Sequence, residues 1–452
     1  MGAAPKSLPL KVPDSQQVDL ESLTVVAVNG VAALAQYASE IDRLNLVSAR
    51  PNPFLSSAFL LCYAAHAEYF QPVGEELLFL IRQGGRVIGC APMRRSAKDF
   101  AVLGPLGRLG VRLQFLAPLD TEQPGILAAP EDEQRVAAAL IRHLCERERG
   151  WGMLEFVGQR PGTTLYQEMY AAANRSFRAR DIEVEPYTEI AVVWDSLGAY
   201  FQSLKKKMRS NISRQGRRLF AAGKVELILA EGAAAATAWL EAYCDLDSRS
   251  WKRGTGASIA RCPRRVRYYR ELVAGNAGLD PEFIGVVLDG VLIAGLLVGS
   301  NSSTSAGNHG AWCLEMAYDQ SLAQLGPGQL LLLLAVGMAI EKSHRHLNFM
   351  QNFAYYKHRW AAEPIQVVNV QLIRRLSLHN VSALVGAARR KLLALRRRPH
   401  RAGDGEEAHH PVTPVNRERA RSLTAAALAH GGPGVRRLGL EASRSFLPFA
   451  ID

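Results

Sequence analysis

Apolar and polar positions fall into blocks that name their own elements. Residues 77–81 and 87–93 are apolar runs of strand length on either side of Gln83-Gly84-Gly85-Arg86, which predicts a hairpin closed by a glycine turn. Residues 283–288 and 291–299 repeat this arrangement around Asp289-Gly290. After the first hairpin and a long loop, residues 131–147 carry Val136, Leu140, Ile141 and Leu144 at helical spacing, and 153–157 read as a buried strand. After the second hairpin come a strand at 311–317, an apolar helix at 328–342 and a short strand at 347–350. Val136 to Met153 and Leu330 to Leu347 both span 17 positions, whereas the hairpin-to-helix spacings differ (Gly85 to Val136 is 51, Gly290 to Leu330 is 40). The pattern predicts two copies of one α+β unit, with an insertion in the first loop.

The joining region adds a strand at 190–194 and a helix capped by Asp195 or Ser196. That helix sets Tyr200, Phe201, Leu204, Met208, Ile212 and Leu219 on one side and basic residues on the other, and Gly223 can end it. Beyond about Leu395 the chain turns polar and rich in Gly, Pro and Ala, which predicts an unpacked tail with one helix near 417–430. The expected organisation is a first unit at 20–190, a second at 191–385, and a basic connector with a low-order tail at 386–452.

Composition narrows the class. The chain has 452 residues, 48% hydrophobic and 21% charged, which is globular. No apolar run reaches the roughly 20 residues of a membrane span, and the N-terminus lacks a basic segment followed by an apolar core. The six cysteines form neither a C-x-x-C pair nor a ligand set, so reduced thiols in a cytoplasmic protein are expected, with no metal; the adjacent His409 and His410 are read as chance neighbours in a polar tail.

The net charge of +12 is concentrated. Lys205, Lys206, Lys207, Arg209, Arg214, Arg217, Arg218 and Lys224 occur without an acidic residue among them; eight more cations lie within 248–270, and six within 389–398. The first cluster lacks the i±4 glutamates of a merely solubilising helix. An anionic partner is implied: a phosphorylated cofactor, nucleic acid, an acidic polysaccharide or a membrane surface.

Four segments in order resemble the GNAT acyltransferase superfamily, and more closely its branch named for the CelD-type protein of cellulose biosynthesis, related to the Fem-type transferases with two tandem GNAT-like domains. They are the basic helix from Leu204 to Leu219, the hairpin from Val287 to Ala294, Ala317-Tyr318-Asp319 with Gly326-Pro327-Gly328, and Tyr355-Tyr356-Lys357 with Trp360. Together they cover about 205–375. The resemblance implies two tandem GNAT-like units, each a mixed, mostly antiparallel sheet flanked by helices, with a disordered C-terminal tail; the N-terminal half fits as a degenerate first unit.

The resemblance also implies chemistry: transfer of an acyl group from acetyl-CoA or another acyl-CoA to an amine or hydroxyl, through a tetrahedral intermediate. Gln324, Gly326, Gly328 and Gln329 enter the apolar helix and would meet the pyrophosphate, because glycine lets phosphate approach the backbone and the helix N-terminus favours anions. The family's phosphate signature has a longer run of donors than this Pro327 version. The corresponding helix start in the first unit is Glu131-Asp132-Glu133, which repels phosphate, so only the second unit is expected to bind the donor. Glu315, the only acid in the 312–317 strand, is the candidate general base, and Tyr355 and Tyr356 are candidates to protonate the leaving sulfur. Relatives carry an Asp on the last strand where this chain has Asn348; His309, His344, His346 and His358 are secondary candidates. Arg209, Asn211, Arg214, Trp251 and Lys357 are expected to hold the acceptor.

Three readings compete. The first is an acyltransferase acting on a saccharide or related acceptor, with exopolysaccharide or cell-envelope biosynthesis as its setting. The second is a Fem-like aminoacyl transferase with tRNA held by the basic clusters. The third is a non-catalytic GNAT-like binding module.

Overall fold

A computed structural model of the chain describes residues 20–70, 74–96, 110–117, 124–148, 150–254, 256–301, 309–350, 357–360, 362–379, 416–438 and 447–448. The first half gives β1 (Leu23–Asn29), α1 (Val31–Gln36), α2 (Ala38–Val47), α3 (Ser57–Ala64), α4 (Ala67–Phe70), β2 (Gly74–Gln83), β3 (Arg86–Ser96), β4 (Arg112–Phe115), β5 (Leu127–Ala128), α5 (Glu133–Glu146), β6 (Met153–Gln159), α6 (Thr164–Ala171) and β7 (Phe177–Glu183). The second half gives β8 (Tyr187–Ala191), α7 (Leu197–Ser203), α8 (Lys206–Ala221), β9 (Val225–Glu231), α9 (Ala233–Ser248), α10 (Pro263–Val273), β10 (Asp280–Leu288), β11 (Val291–Ser300), β12 (Gly310–Tyr318), α11 (Pro327–Glu341), β13 (His346–Asn348), β14 (Glu363–Ile365), β15 (Val368–Arg374), α12 (Arg417–His430) and β16 (Val435–Leu438).

These strands form two mixed sheets flanked by helices. The first runs β1-β2-β3-β4-β6-β15-β7, with β5 on β3; the second runs β14-β8-β13-β12-β11-β10-β9-β16. The duplication read from spacing is visible as topology: β1-β2-β3-β4-β6 and β9-β10-β11-β12-β13 have the same neighbours and the same senses. In each copy three antiparallel pairings are followed by one parallel pairing, β4 with β6 and β12 with β13. A parallel pair needs a crossover, and α5 and α11 supply it. Both hairpins close through two residues at positive φ, Gly84 and Gly85 in one and Asp289 and Gly290 in the other, the torsions a right-twisted two-residue turn requires.

The helices divide the core. α11 is buried along nearly its whole length, with Leu330 through Ala339 all inaccessible, and packs with α7 and α8 against one face of the second sheet. A second core is shared between the units: Phe54, Phe59 and Tyr63 of the first half meet Trp239, Tyr268 and Trp312 of the second. No helix among the described residues is long and apolar enough to cross a membrane.

The chain departs from the expected partition in three places. β8 spans the expected boundary at 190/191 and pairs with β13 and β14 of the second sheet. β15, expected in the second unit, lies in the first sheet between β6 and β7. Alternation marks both segments as strands, but a strand's partner is set by long-range register and not by its own pattern. Third, the segment expected to be low-order contains α12, at the helix position the sequence predicts, and β16, which pairs with β9. Ala420, Thr424 and Ala427 of α12 are buried, and Thr424 Oγ1 accepts from the Leu292 N–H at 3.1 Å. A chain ending at residue 415 is therefore expected to unfold at a lower temperature in thermal denaturation than the full chain, because α9 loses its apolar cover and Leu292 its acceptor.

Candidate functional site

The site begins with a fork between two parallel strands. β12 pairs with β13 at only three positions, Gly310↔His346, Ala311↔Leu347 and Trp312↔Asn348. β12 then continues from Cys313 to Tyr318 with β11 as its remaining neighbour. Its register on β11 shifts at this point, from Val298↔Cys313 to Leu297↔Glu315, so Leu314 is the extra residue of a bulge. Such bulges bend a strand and re-aim its side chains.

The end of β12 leads to the start of α11. Asp319 caps a short 3₁₀ turn, Gln320–Leu325, accepting from the Ser321 N–H at 3.0 Å and Oγ at 2.6 Å, and it pairs with Arg249. Gly326 then adopts φ 65°, ψ 37° as the N-cap of α11. Glycine is required twice over, since that φ is left-handed and a Cβ there would lie 2.4 Å from Gln215 Oε1. A Cβ on Gly328 would lie 3.1 Å from the Tyr318 ring. Pro327 at the first helical position removes one of the donors that a helix start offers.

Of the expected cofactor residues, Gly326, Gly328 and Gln329 are gathered at this loop, while Gln324 lies exposed in the preceding turn. Asn211, expected at the acceptor, is bonded to this loop: its Nδ2 donates to Gln329 Oε1 at 3.3 Å, 118 positions away. Arg214 NH2 donates to Asn211 Oδ1 at 2.8 Å. Arg209 is spent on structure, donating to the carbonyls of Gln202 and Leu204 (both 2.7 Å) at the end of α7.

Glu315 is held on a different face. Its Oε1 accepts from Arg265 at 2.8 Å and from Tyr269 at 3.0 Å, and its Oε2 pairs with Lys252. Lys252 also lies 3.9 Å from Asp247, whose Oδ2 accepts from Ser258 at 2.6 Å. Both oxygens of Glu315 are engaged in a buried ion cluster, which is the geometry of an anchor rather than of a base facing an acceptor.

A cleft of about 580 Å³ lies between the two units. The second unit contributes Glu189, Trp312 and His346 to its wall, and the first contributes Arg50, Glu133 and Arg160. Side chains alternate along a strand, so β12 and β13 show different faces to the two sides. Ala311 and Leu347 pack with α11, while Trp312 and His346 line the cleft. His346 sits edge-on to Trp312, with centroids 5.3 Å apart and planes at 80°. Asn348 is fully buried; its Nδ2 donates to Glu189 Oε2 at 3.4 Å, and its Oδ1 accepts from the Met350 N–H at 2.7 Å. Thus Asn348 orients an acid that arrives from β8. The sequence pattern starts this strand at Ile190 and so omits Glu189, whereas β8 begins at Tyr187; a lone acid beside Thr188 and Ile190 is the signal the sequence carries.

The remaining candidates separate. Trp251 is 43% exposed and lies outside the cleft wall. Tyr355 and Tyr356 lie outside the described residues, as do the side chains of Lys357 and His358. His344 is buried away from the cleft, and burial lowers it to about 4, which keeps it neutral. Burial raises the thiols of Cys62 and Cys145 to about 11 and of Cys90 and Cys244 to about 12, so none of these four is a ready thiolate.

Residues 206–358 match the family model described as an acetyltransferase (GNAT) domain. No curated protein matches the chain. Among solved structures, the chain is similar to a tandem GNAT protein from the clavulanic acid biosynthesis pathway, at 14% identity over 78% of this chain and 98% of that one, with a TM-score of 0.46. It is also similar to a conserved protein of unknown function from Bacteroides thetaiotaomicron (11% identity, 77% and 99% covered, TM-score 0.44) and to FemX (12%, 74% and 95%, TM-score 0.41). The mixed α/β architecture is GNAT-like, and the matched domain comprises α8 through the end of β13, which contains the fork, the glycine loop and His346.

Proposed function

We propose that the chain is an acyl-CoA-dependent N- or O-acyltransferase of the CelD-type branch, with acetyl-CoA as the ordinary donor. The acceptor would be a saccharide or a related amine or alcohol in exopolysaccharide or cell-envelope assembly. One observation carries this reading: the fork between β12 and β13 has the glycine loop and α11 on one face and the inter-unit cleft on the other. In this reading the donor's pyrophosphate lies at Gly326–Gln329, where the N-terminus of α11 favours negative charge. The acyl carbon is presented near Trp312 and Asn348, and the acceptor arrives from the cleft beside His346 and Glu189. His346 takes the proton of the attacking amine or hydroxyl, Glu189 lies alongside it, and backbone N–H groups of β12 face the developing oxyanion. Tyr355 and Tyr356 are proposed to protonate the leaving thiolate, and Lys357 to bind an acidic group of the acceptor.

A titration with CoA and acetyl-CoA tests the reading. Ligand at 100 times its Kd should stabilise the fold by about 2.7 kcal/mol. Absence of both a binding isotherm and a thermal shift at saturating CoA would end it, and salt-sensitive tRNA binding in its place would favour aminoacyl transfer. Gly326→Val should raise the Kd for CoA at least about tenfold by calorimetry, because a β-branched residue at that φ strains the loop by about 1–3 kcal/mol and drives it against Gln215.

A further inference from the structure

We propose that α8 selects the donor by its nucleotide: Lys207, Arg214 and Arg218 form a cationic stripe that recognises a 3′-phosphorylated adenosine diphosphate, so that CoA is preferred to thioesters lacking that phosphate. This rests on the donor reading above and adds to it the group that the chain uses to tell donors apart.

The stripe follows from helical geometry. Lys207, Asn211, Arg214, Gln215 and Arg218 recur at i, i+4, i+7, i+8 and i+11, which places them on one face of α8. The face is oriented by its middle: Asn211 donates to Gln329, and Gln215 crowds Gly326, so the stripe is turned toward the glycine loop. The adjacent face, carrying Met208, Ile212 and Leu219, is buried on the core. At 1.5 Å of rise per residue, Lys207 and Arg218 lie roughly 6 and 10 Å along the helix from Asn211. They therefore lie on either side of the point where α8 meets the glycine loop.

The charges are uncompensated. Lys207, Arg214 and Arg218 are exposed, α8 contains no acid, and none of the three forms an ion pair among the described residues. Arg214 gives one N–H to Asn211 Oδ1, which leaves the rest of its fork for a phosphate. By contrast Lys224, just past the end of the helix, is already paired with Glu226 at 2.7 Å. Like charges gathered on one stripe repel each other, and a bound polyanion relieves that repulsion. A donor ending at pantetheine would leave the stripe unused.

The test is calorimetric titration of the full chain with CoA, with 3′-dephospho-CoA and with pantetheine. The wild-type chain should bind CoA at least about tenfold more tightly than dephospho-CoA, a difference of about 1.4 kcal/mol, and the margin should shrink with added salt. Lys207→Gln with Arg218→Gln, both at exposed positions, should leave the unfolding temperature unchanged and bring the affinity for CoA down to that for dephospho-CoA. Equal binding of CoA and dephospho-CoA by the wild-type chain overturns the inference and leaves the acyltransferase reading standing. So does a double variant that keeps the preference, or one that loses affinity for both compounds equally. Failure of the wild-type chain to bind any of the three overturns both.

Discussion

Glu315→Ala should destabilise the chain by about 3–5 kcal/mol, measured as a fall in the denaturant midpoint with an unchanged slope. The carboxylate faces Lys252, Arg265 and Tyr269 together, and Lys252 and Glu315 are both buried. Removing it takes away the carboxylate that Lys252 and Arg265 share in a site that water barely reaches, a cost that Asp247, 3.9 Å from Lys252, offsets only in part. Glu315→Gln keeps the shape but turns an amide N–H₂ or a neutral oxygen toward the cations, so most of the loss should persist. A double replacement, Glu315→Leu with Lys252→Met, should recover part of it by exchanging charge for apolar contact. These variants also decide between anchor and base. As an anchor, Glu315 affects rate only as far as the fork distorts, and folded Glu315→Gln retains the pH profile of the wild-type chain. Loss of one limb of that profile with unchanged stability would return the base to Glu315.

The two roles were indistinguishable in the sequence because Lys252 and Arg265 precede Glu315 by 63 and 50 residues. A lone acid on an apolar strand reads as a catalytic group or as an exposed one, and neither reading includes cations supplied by a distant loop and helix. The duplicated unit was legible because its signals are local: glycine turns that demand positive φ, and a helix-to-strand spacing repeated without change. The amphipathic character of α8 was legible for the same reason, but the target of its polar stripe was not. The sequence assigns Asn211 and Gln329 to different ligands, and a 3.3 Å hydrogen bond joins them at one loop. Strand exchange was hidden for a related reason. β15 has the pattern of any half-buried strand, and its place beside β6 and β7 depends on register with residues 185 to 220 positions earlier, as in Leu372↔Leu154 and Leu372↔Ala179. Glu189 was lost to a boundary three residues out, the part of an element that pattern defines least well.

The largest effect on activity is expected at His346. His346→Gln should lower kcat by about 10²–10⁴, the usual contribution of a positioned proton acceptor, while the Kd for CoA stays within about twofold of wild type. His346 is the one described histidine that lines the cleft, and its ring is fixed edge-on by Trp312, which packs in turn against Phe54 at 5.6 Å. Glu189→Gln should have a smaller effect, on the order of tenfold, because Asn348 can still hold the amide and only the carboxylate charge beside His346 is lost. A steric variant separates chemistry from packing. A Cβ on Gly310 would lie 2.2 Å from His346 Nε2, so Gly310→Ala must displace the imidazole while leaving its acid–base chemistry intact. If His346 moves the proton, Gly310→Ala lowers kcat as His346→Gln does, and a second change that reopens space around the ring restores part of it. If the acceptor is only bound there, both variants raise its KM and leave kcat at saturation unchanged, and the proton acceptor has to be sought elsewhere along the cleft.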